Sequence, residues 1–173
     1  KIPAKYFEKR MLTHLELTDS IYETVENLKD IAKENVQILF TVSPVRHTKD
    51  GMVENNLSKS KLITAIHEIL PQFENCHYLP VYEILMDDLR DYRFYKEDLI
   101  HPNNQAINYI WEKFGNAYFS NETMDFIEEN LKIAKSLDHR SLDENSPKYR
   151  EFAEKLSQRI AAQQKKVKHK IFF

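Results

Sequence analysis

Val36-Gln37-Ile38-Leu39-Phe40-Thr41-Val42 is an unbroken run of mostly β-forming residues. A short apolar run without regular polar alternation reads as a strand covered on both faces, as strands of a parallel sheet are. It stops at Ser43-Pro44-Val45-Arg46-His47, because Pro44 has no N–H to give a ladder. Ligands of open α/β sheets sit beyond the carboxyl ends of strands. Arg46 and His47 therefore stand where function is expected.

Working outward, a helical pattern precedes the run over about 19–34, with Ile21, Val25, Leu28, Ile31 and Ala32 on one face and Glu26, Lys29, Asp30 and Lys33 on the other. Ser20 and Glu23 have the form of a capping box for it. Residues 1–17 read as an irregular arm. Downstream, a polar loop holding Gly51 leads to a helix over about 57–70, closed by Pro71. His77 to Tyr82 is a second strand candidate, confined to an edge or a strand end by Pro80. A helical turn is expected over 83–89, then a helix over 103–114 that stops at Gly115. Ser120 caps a helix to Leu137 that buries Phe126, Ile127, Leu131 and Ala134. A polar linker covers 137–145. Ser146-Pro147 opens the last helix, to about Val167. The expected division is an α/β domain over 1–118 and a helical extension over 119–173.

Bulk properties narrow the class. The chain has 173 residues, 42% hydrophobic and 30% charged, which suits one globular core rather than a disordered tail. A net charge of -2 gives no overall attraction to nucleic acid or anionic membrane. The basic run from Lys165 to Lys170 complements a helix C-terminus and has no aromatic platform beside it. No nucleic-acid or membrane partner is expected. No apolar run reaches bilayer length, and Lys1–Arg10 lacks the pattern of a secretory signal. The single Cys76 excludes an intramolecular disulfide and fits a reducing, cytoplasmic compartment. Gly51 and Gly115 are the only glycines, too few for a phosphate-cradling loop. His67-Glu68 begins a zinc-protease box, but its fifth position is Pro71. Asp87, Asp88 and Asp91 lack accompanying ligands. Neither a metal nor a cofactor is expected.

The residues that could carry chemistry lie in Asp98-Leu99-Ile100-His101-Pro102. On one turn, Asp98 can reach the ring of His101. A carboxylate on Nδ1 fixes the tautomer and leaves Nε2 free to take a proton from a nucleophile. The plainer alternative is a helix cap beside a solvated histidine. Arg46 could present its guanidinium to an anionic or carbonyl group of a substrate, or pair with Asp87, Asp88 or Asp91. His47 reads as a loop histidine rather than a second base. Asn56 is an oxyanion donor or a helix cap. Arg93, between Tyr92 and Phe94, is expected to stack and pair. Cys76 and His77 are no nucleophile pair, since strand neighbours point to opposite faces.

Two longer stretches share a further likeness. One is Thr41-Val42-Ser43-Pro44-Val45-Arg46-His47 with Val53-Glu54-Asn55-Asn56-Leu57-Ser58-Lys59-Ser60. The other is Tyr82-Glu83-Ile84, Met86-Asp87-Asp88-Leu89-Arg90-Asp91-Tyr92-Arg93-Phe94-Tyr95 and Asp98-Leu99-Ile100-His101-Pro102. Both resemble the GSCFA family of bacterial proteins, grouped with the SGNH hydrolases, over about 1–114. The resemblance implies a flavodoxin-like α/β/α fold, here partial, with few strands and extra C-terminal helices. It also implies acyl-ester hydrolysis or transfer, with Asp98 and His101 matching the late acid and base of a Ser-His-Asp triad. The N-terminal Gly-Ser-Cys-Phe-Ala motif, whose serine would be the nucleophile, does not occur in this sequence. The expectation is therefore a C-terminal portion of a larger protein, inactive alone. Two parallel strands are not a stable sheet by themselves. A missing N-terminal half, a second copy or a rearranged helical packing should cover them.

Two readings of function follow. In the first, the chain belongs to a serine esterase or acyltransferase acting on an acyl-ester small molecule. In the second, it is a non-catalytic binding or structural domain, with Tyr6, Tyr82, Tyr92, Tyr95 and Trp111 available to stack on carbohydrate.

Overall fold

The computed structural model describes residues 2–3, 6–32, 36–138 and 146–172. It is largely helical, with two short parallel strands. The order is α1 (His14–Ala32), β1 (Ile38–Phe40), α2 (Met52–Ile69), β2 (Cys76–Tyr78), α3 (Val81–Glu83) with a π-helical turn (Ile84–Leu89), α4 (Asn104–Tyr118), α5 (Asn121–Leu137) and α6 (Pro147–Gln164). The chain divides into two compact units, Lys1–Lys113 and Phe114–Phe173. Among the described residues no helix is long and apolar enough to cross a membrane.

In the first unit, β1 and β2 pair in parallel, with Ile38 opposite Cys76 and Phe40 opposite Tyr78. Pro44 is buried just beyond β1, and α3 begins directly after Pro80. Val25 of α1, Ile38, Ile69 of α2, Phe73 and Cys76 form the core, with Ile21, Val36, Phe40 and Leu70 packed on it. A second small core gathers Leu85, Phe94, Tyr95 and Ala106. This second core carries the loop that holds Asp98 and His101.

Several helix boundaries differ from the expected ones. α1 starts before Ser20, because an earlier box operates. The Thr13 hydroxyl accepts from the Glu16 N–H at 3.3 Å, and a Glu16 carboxylate oxygen accepts from the Thr13 N–H at 2.9 Å. Ser20 instead lies inside the helix, where its carbonyl accepts from the Thr24 hydroxyl. Ile31, expected inward, is 79% exposed. α2 begins at Met52, since Gly51 takes a φ of +94° that few other residues adopt and turns the chain into the helix. Asn56 therefore lies inside α2 and does not cap it. Gly115 does not stop α4, which runs on to Tyr118. The bare Gly115 leaves room for Met124, whose sulfur would lie 3.1 Å from an added Cβ. Residues 33–35, where the first helix was expected to end, and the linker 139–145 lie outside the described residues.

The second unit pairs α5 with α6. Ser120 and Ser146 cap them by accepting from the Thr123 and Tyr149 N–H groups, each at 3.2 Å. Among the described residues of α5 and α6, Ile133 and Leu156 are the buried apolar ones. Leu131, expected inward, is 55% exposed. Arg159 Nε holds Glu129 at 2.7 Å across the pair.

Candidate functional site

The approach to Asp98 and His101 is built from tight local turns. The π-helical turn ends at Arg90, whose φ of +52° reverses the chain. Asp91 then caps a 3₁₀ turn, Tyr92–Phe94, by accepting from the Arg93 N–H at 2.8 Å. Tyr95 and Pro102 form an antiparallel bridge. The Lys96 N–H reaches the His101 carbonyl at 2.8 Å, and the Asn103 N–H reaches that of Phe94 at 2.9 Å. Residues 95–102 are thus a closed loop standing on the second core.

Asp98 organises the tip of that loop. One carboxylate oxygen accepts from the Ile100 N–H at 2.9 Å and the His101 N–H at 3.0 Å. These bonds accommodate Leu99, whose φ is +56°. The other oxygen lies 2.7 Å from His101 Nδ1. An ionised carboxylate only accepts, so Nδ1 carries a proton, and in the neutral ring the lone pair is on Nε2. The bond from the His101 N–H, then that from its ring, then that from Ile100 hold the Asp98 carboxyl well below the usual carboxylate range. The His101 side chain is 53% exposed.

Arg46 joins this loop from the end of β1. Its N–H reaches the Ile100 carbonyl at 3.4 Å, and its Nη1 donates to the Leu99 carbonyl at 3.1 Å. The guanidinium lies 4.3 Å from the Tyr95 ring centre and 5.3 Å from that of Tyr92. It stacks and binds main chain rather than pairing with Asp87, Asp88 or Asp91. The two stretches that carry the family likeness are thereby bonded to each other.

The other candidates make their bonds elsewhere. His47 gives its N–H to Asn55 Oδ1 at 2.8 Å, and its ring lies 3.7 Å from Asp50. It lines a cleft of about 370 Å³ with Lys9, Arg10 and Asn55. Asn56 is exposed on α2 and accepts from Asn55 Nδ2 at 3.2 Å. Arg93 lies over Phe94 and 3.9 Å from Asp91.

Three supporting residues were not anticipated. Asn103 caps α4 by accepting from the Ala106 N–H at 3.1 Å, and its amide clamps the Arg93 carbonyl at 2.6 Å. Asparagine after Pro102 is a readable cap signal. Asn55 is buried and fixes the main chain at His47. Lys59, 7% exposed, donates to the Ser43 carbonyl at 2.6 Å and so holds the turn that delivers Arg46. Burial lowers its pKa. Among the described residues, no group of three or more His, Cys, Asp or Glu side chains could hold a metal ion.

No curated protein and no solved structure matches the chain significantly. The sequence profile of the GSCFA family does match, over residues 1–114, which span β1, its Arg46 turn and the whole Asp98–His101 loop. By that match, covering well over half of its length, the chain belongs to the GSCFA family.

Proposed function

We propose that this chain supplies the base and the orienting acid of a serine-dependent esterase or acyltransferase. The serine comes from a Gly-Ser-Cys-Phe-Ala segment outside this sequence. The observation that carries the reading is the 2.7 Å contact between Asp98 and His101 Nδ1, made by a ring whose side chain is half exposed. In the reaction, Nε2 takes the serine hydroxyl proton as the oxygen bonds to the acyl carbon. The resulting imidazolium returns that proton to the leaving alcohol oxygen as the ester bond breaks. Water or an acceptor alcohol then repeats the cycle on the acyl-enzyme. Asp98 stays ionised throughout and balances the imidazolium charge. On the same reading, β1 and β2 are part of a larger flavodoxin-like layered sheet.

The carbohydrate-binding alternative keeps Tyr6, Tyr92 and Trp111 exposed but loses one of its rings. Tyr95 is buried, and Arg46 lies over its ring.

The test is hydrolysis of a short-chain aryl ester by the protein that carries the serine motif, and by its His101→Ala form. Loss of about 10⁴-fold or more in kcat is expected from a broken triad. Equal rates reject the role assigned to His101. The present chain alone should be inactive.

A further inference from the structure

Arg46 and Arg90 line one cleft of about 140 Å³, walled by Met86, Asp91, Tyr92 and Tyr95. That space holds several water molecules, enough for a small anionic group. One Arg46 N–H is committed to the Leu99 carbonyl, which leaves the rest of its fork available. The Tyr95 and Tyr92 rings hold the guanidinium in place. The Arg90 guanidinium has no hydrogen bond or ion pair among the described residues. The one carboxylate in the wall, Asp91, is already engaged by the Arg93 N–H and faces the Arg93 side chain at 3.9 Å. Two arginines thus line a cleft with one carboxylate that is already partnered.

A guanidinium fork matches planar or tetrahedral oxyanions in a bidentate way, and aromatic stacking keeps it weakly hydrated and fixed. We propose that this cleft binds an anionic substituent, a carboxylate or a phosphate, carried by the ester substrate. The proposal rests on the catalytic reading of Asp98 and His101 and gives it a substrate class. Arg46 is bonded to Leu99, two positions before the base, so the anion sits against the catalytic loop. Binding energy from this remote group orients the ester at Nε2.

The test is a titration of the chain with inorganic phosphate and, separately, with acetate, read by amide shifts in NMR spectra. Arg90→Asn removes the charge with a residue that tolerates the left-handed backbone there. Lys113→Gln removes one charge elsewhere. Shifts are expected at Arg46, Arg90, Tyr92 and Tyr95, with affinity on the order of millimolar. Arg90→Asn should weaken binding about ten- to a hundredfold, as loss of a charge-assisted bond does. Lys113→Gln should bind as the parent does. The stronger of the two anions identifies the substituent. Unchanged binding in Arg90→Asn, or shifts spread over surface lysines instead, overturns the site. If the His101→Ala chain binds the anion normally while the serine-bearing protein with the same substitution keeps full hydrolysis, the catalytic reading alone is removed.

Discussion

The Leu99 carbonyl accepts from Arg46 Nη1 at 3.1 Å across 53 positions of sequence. Leu99 is also held in the left-handed region, at a φ of +56°, with its side chain largely outside the core. For a residue with a Cβ that conformation costs about 1–2 kcal/mol. Leu99→Gly removes that strain and adds about 0.4–1 kcal/mol of unfolded-state entropy. A net gain of about 0.5 kcal/mol is expected in urea melts. A clear loss would show that the turn is not strained.

Asp98→Asn keeps the shape of the loop and removes its charge. The Asp98 carboxyl is depressed in the folded chain by the His101 and Ile100 donors. Its contribution to stability is therefore full above the unfolded value of about 3.9 and declines as pH falls through it. The melting-temperature gap between parent and variant should be widest near neutrality and narrow progressively below about pH 4. A gap independent of pH contradicts this account.

The start of α1 offers a second acid-sensitive element. Glu16 is brought down to about 2, first by the Arg10 side chain and then by Thr13. Its stabilisation is complete above about 4.3, the unfolded glutamate value, and fades as pH drops toward the folded one. Thr13→Ala removes half of the box and should cost about 1 kcal/mol at neutral pH. Circular dichroism at the helix band during denaturation reads both effects.

Lys59 gives the same direction of pH dependence, at the alkaline end and through a buried cation. Burial lowers its pKa, so the folded chain releases that proton more readily than the unfolded one. Its contribution becomes more favourable as pH rises toward about 10.4. Relative to Lys59→Met, the parent should gain stability as pH rises through the alkaline range toward about 10.4. A difference that is flat or falling over that range would mean that the ammonium is not desolvated.

Local chemistry was legible in the sequence where the partners are near neighbours. Ser120 and Ser146-Pro147 mark their helices because a cap is settled within four residues. Asp98 and His101 are three apart, so their contact could be read directly. Thr13 and Ser20 both begin box patterns, and Leu15 and Leu17 between them do not say which one operates. Ile31 and Leu131 follow helical spacing yet stay exposed, because periodicity names a face without naming what covers it. Gly115 resembles a stop, but a close neighbour, Met124, explains its place inside α4. The link from Arg46 to Leu99 was invisible, since a main-chain carbonyl carries no residue signature. Lys59 was read only as part of a motif, because burial of a long cation depends on tertiary packing.

The Ile38 N–H and the Phe40 carbonyl are spent on the segment around β2, through Asn75 and Leu79. In a parallel ladder the intervening residue faces the other way, so the Leu39 amide points outward from the two-stranded sheet. Its hydrogen should exchange freely with deuterated water in this chain. Slowed exchange at Leu39 would time the arrival of a third strand, independently of any catalytic assay.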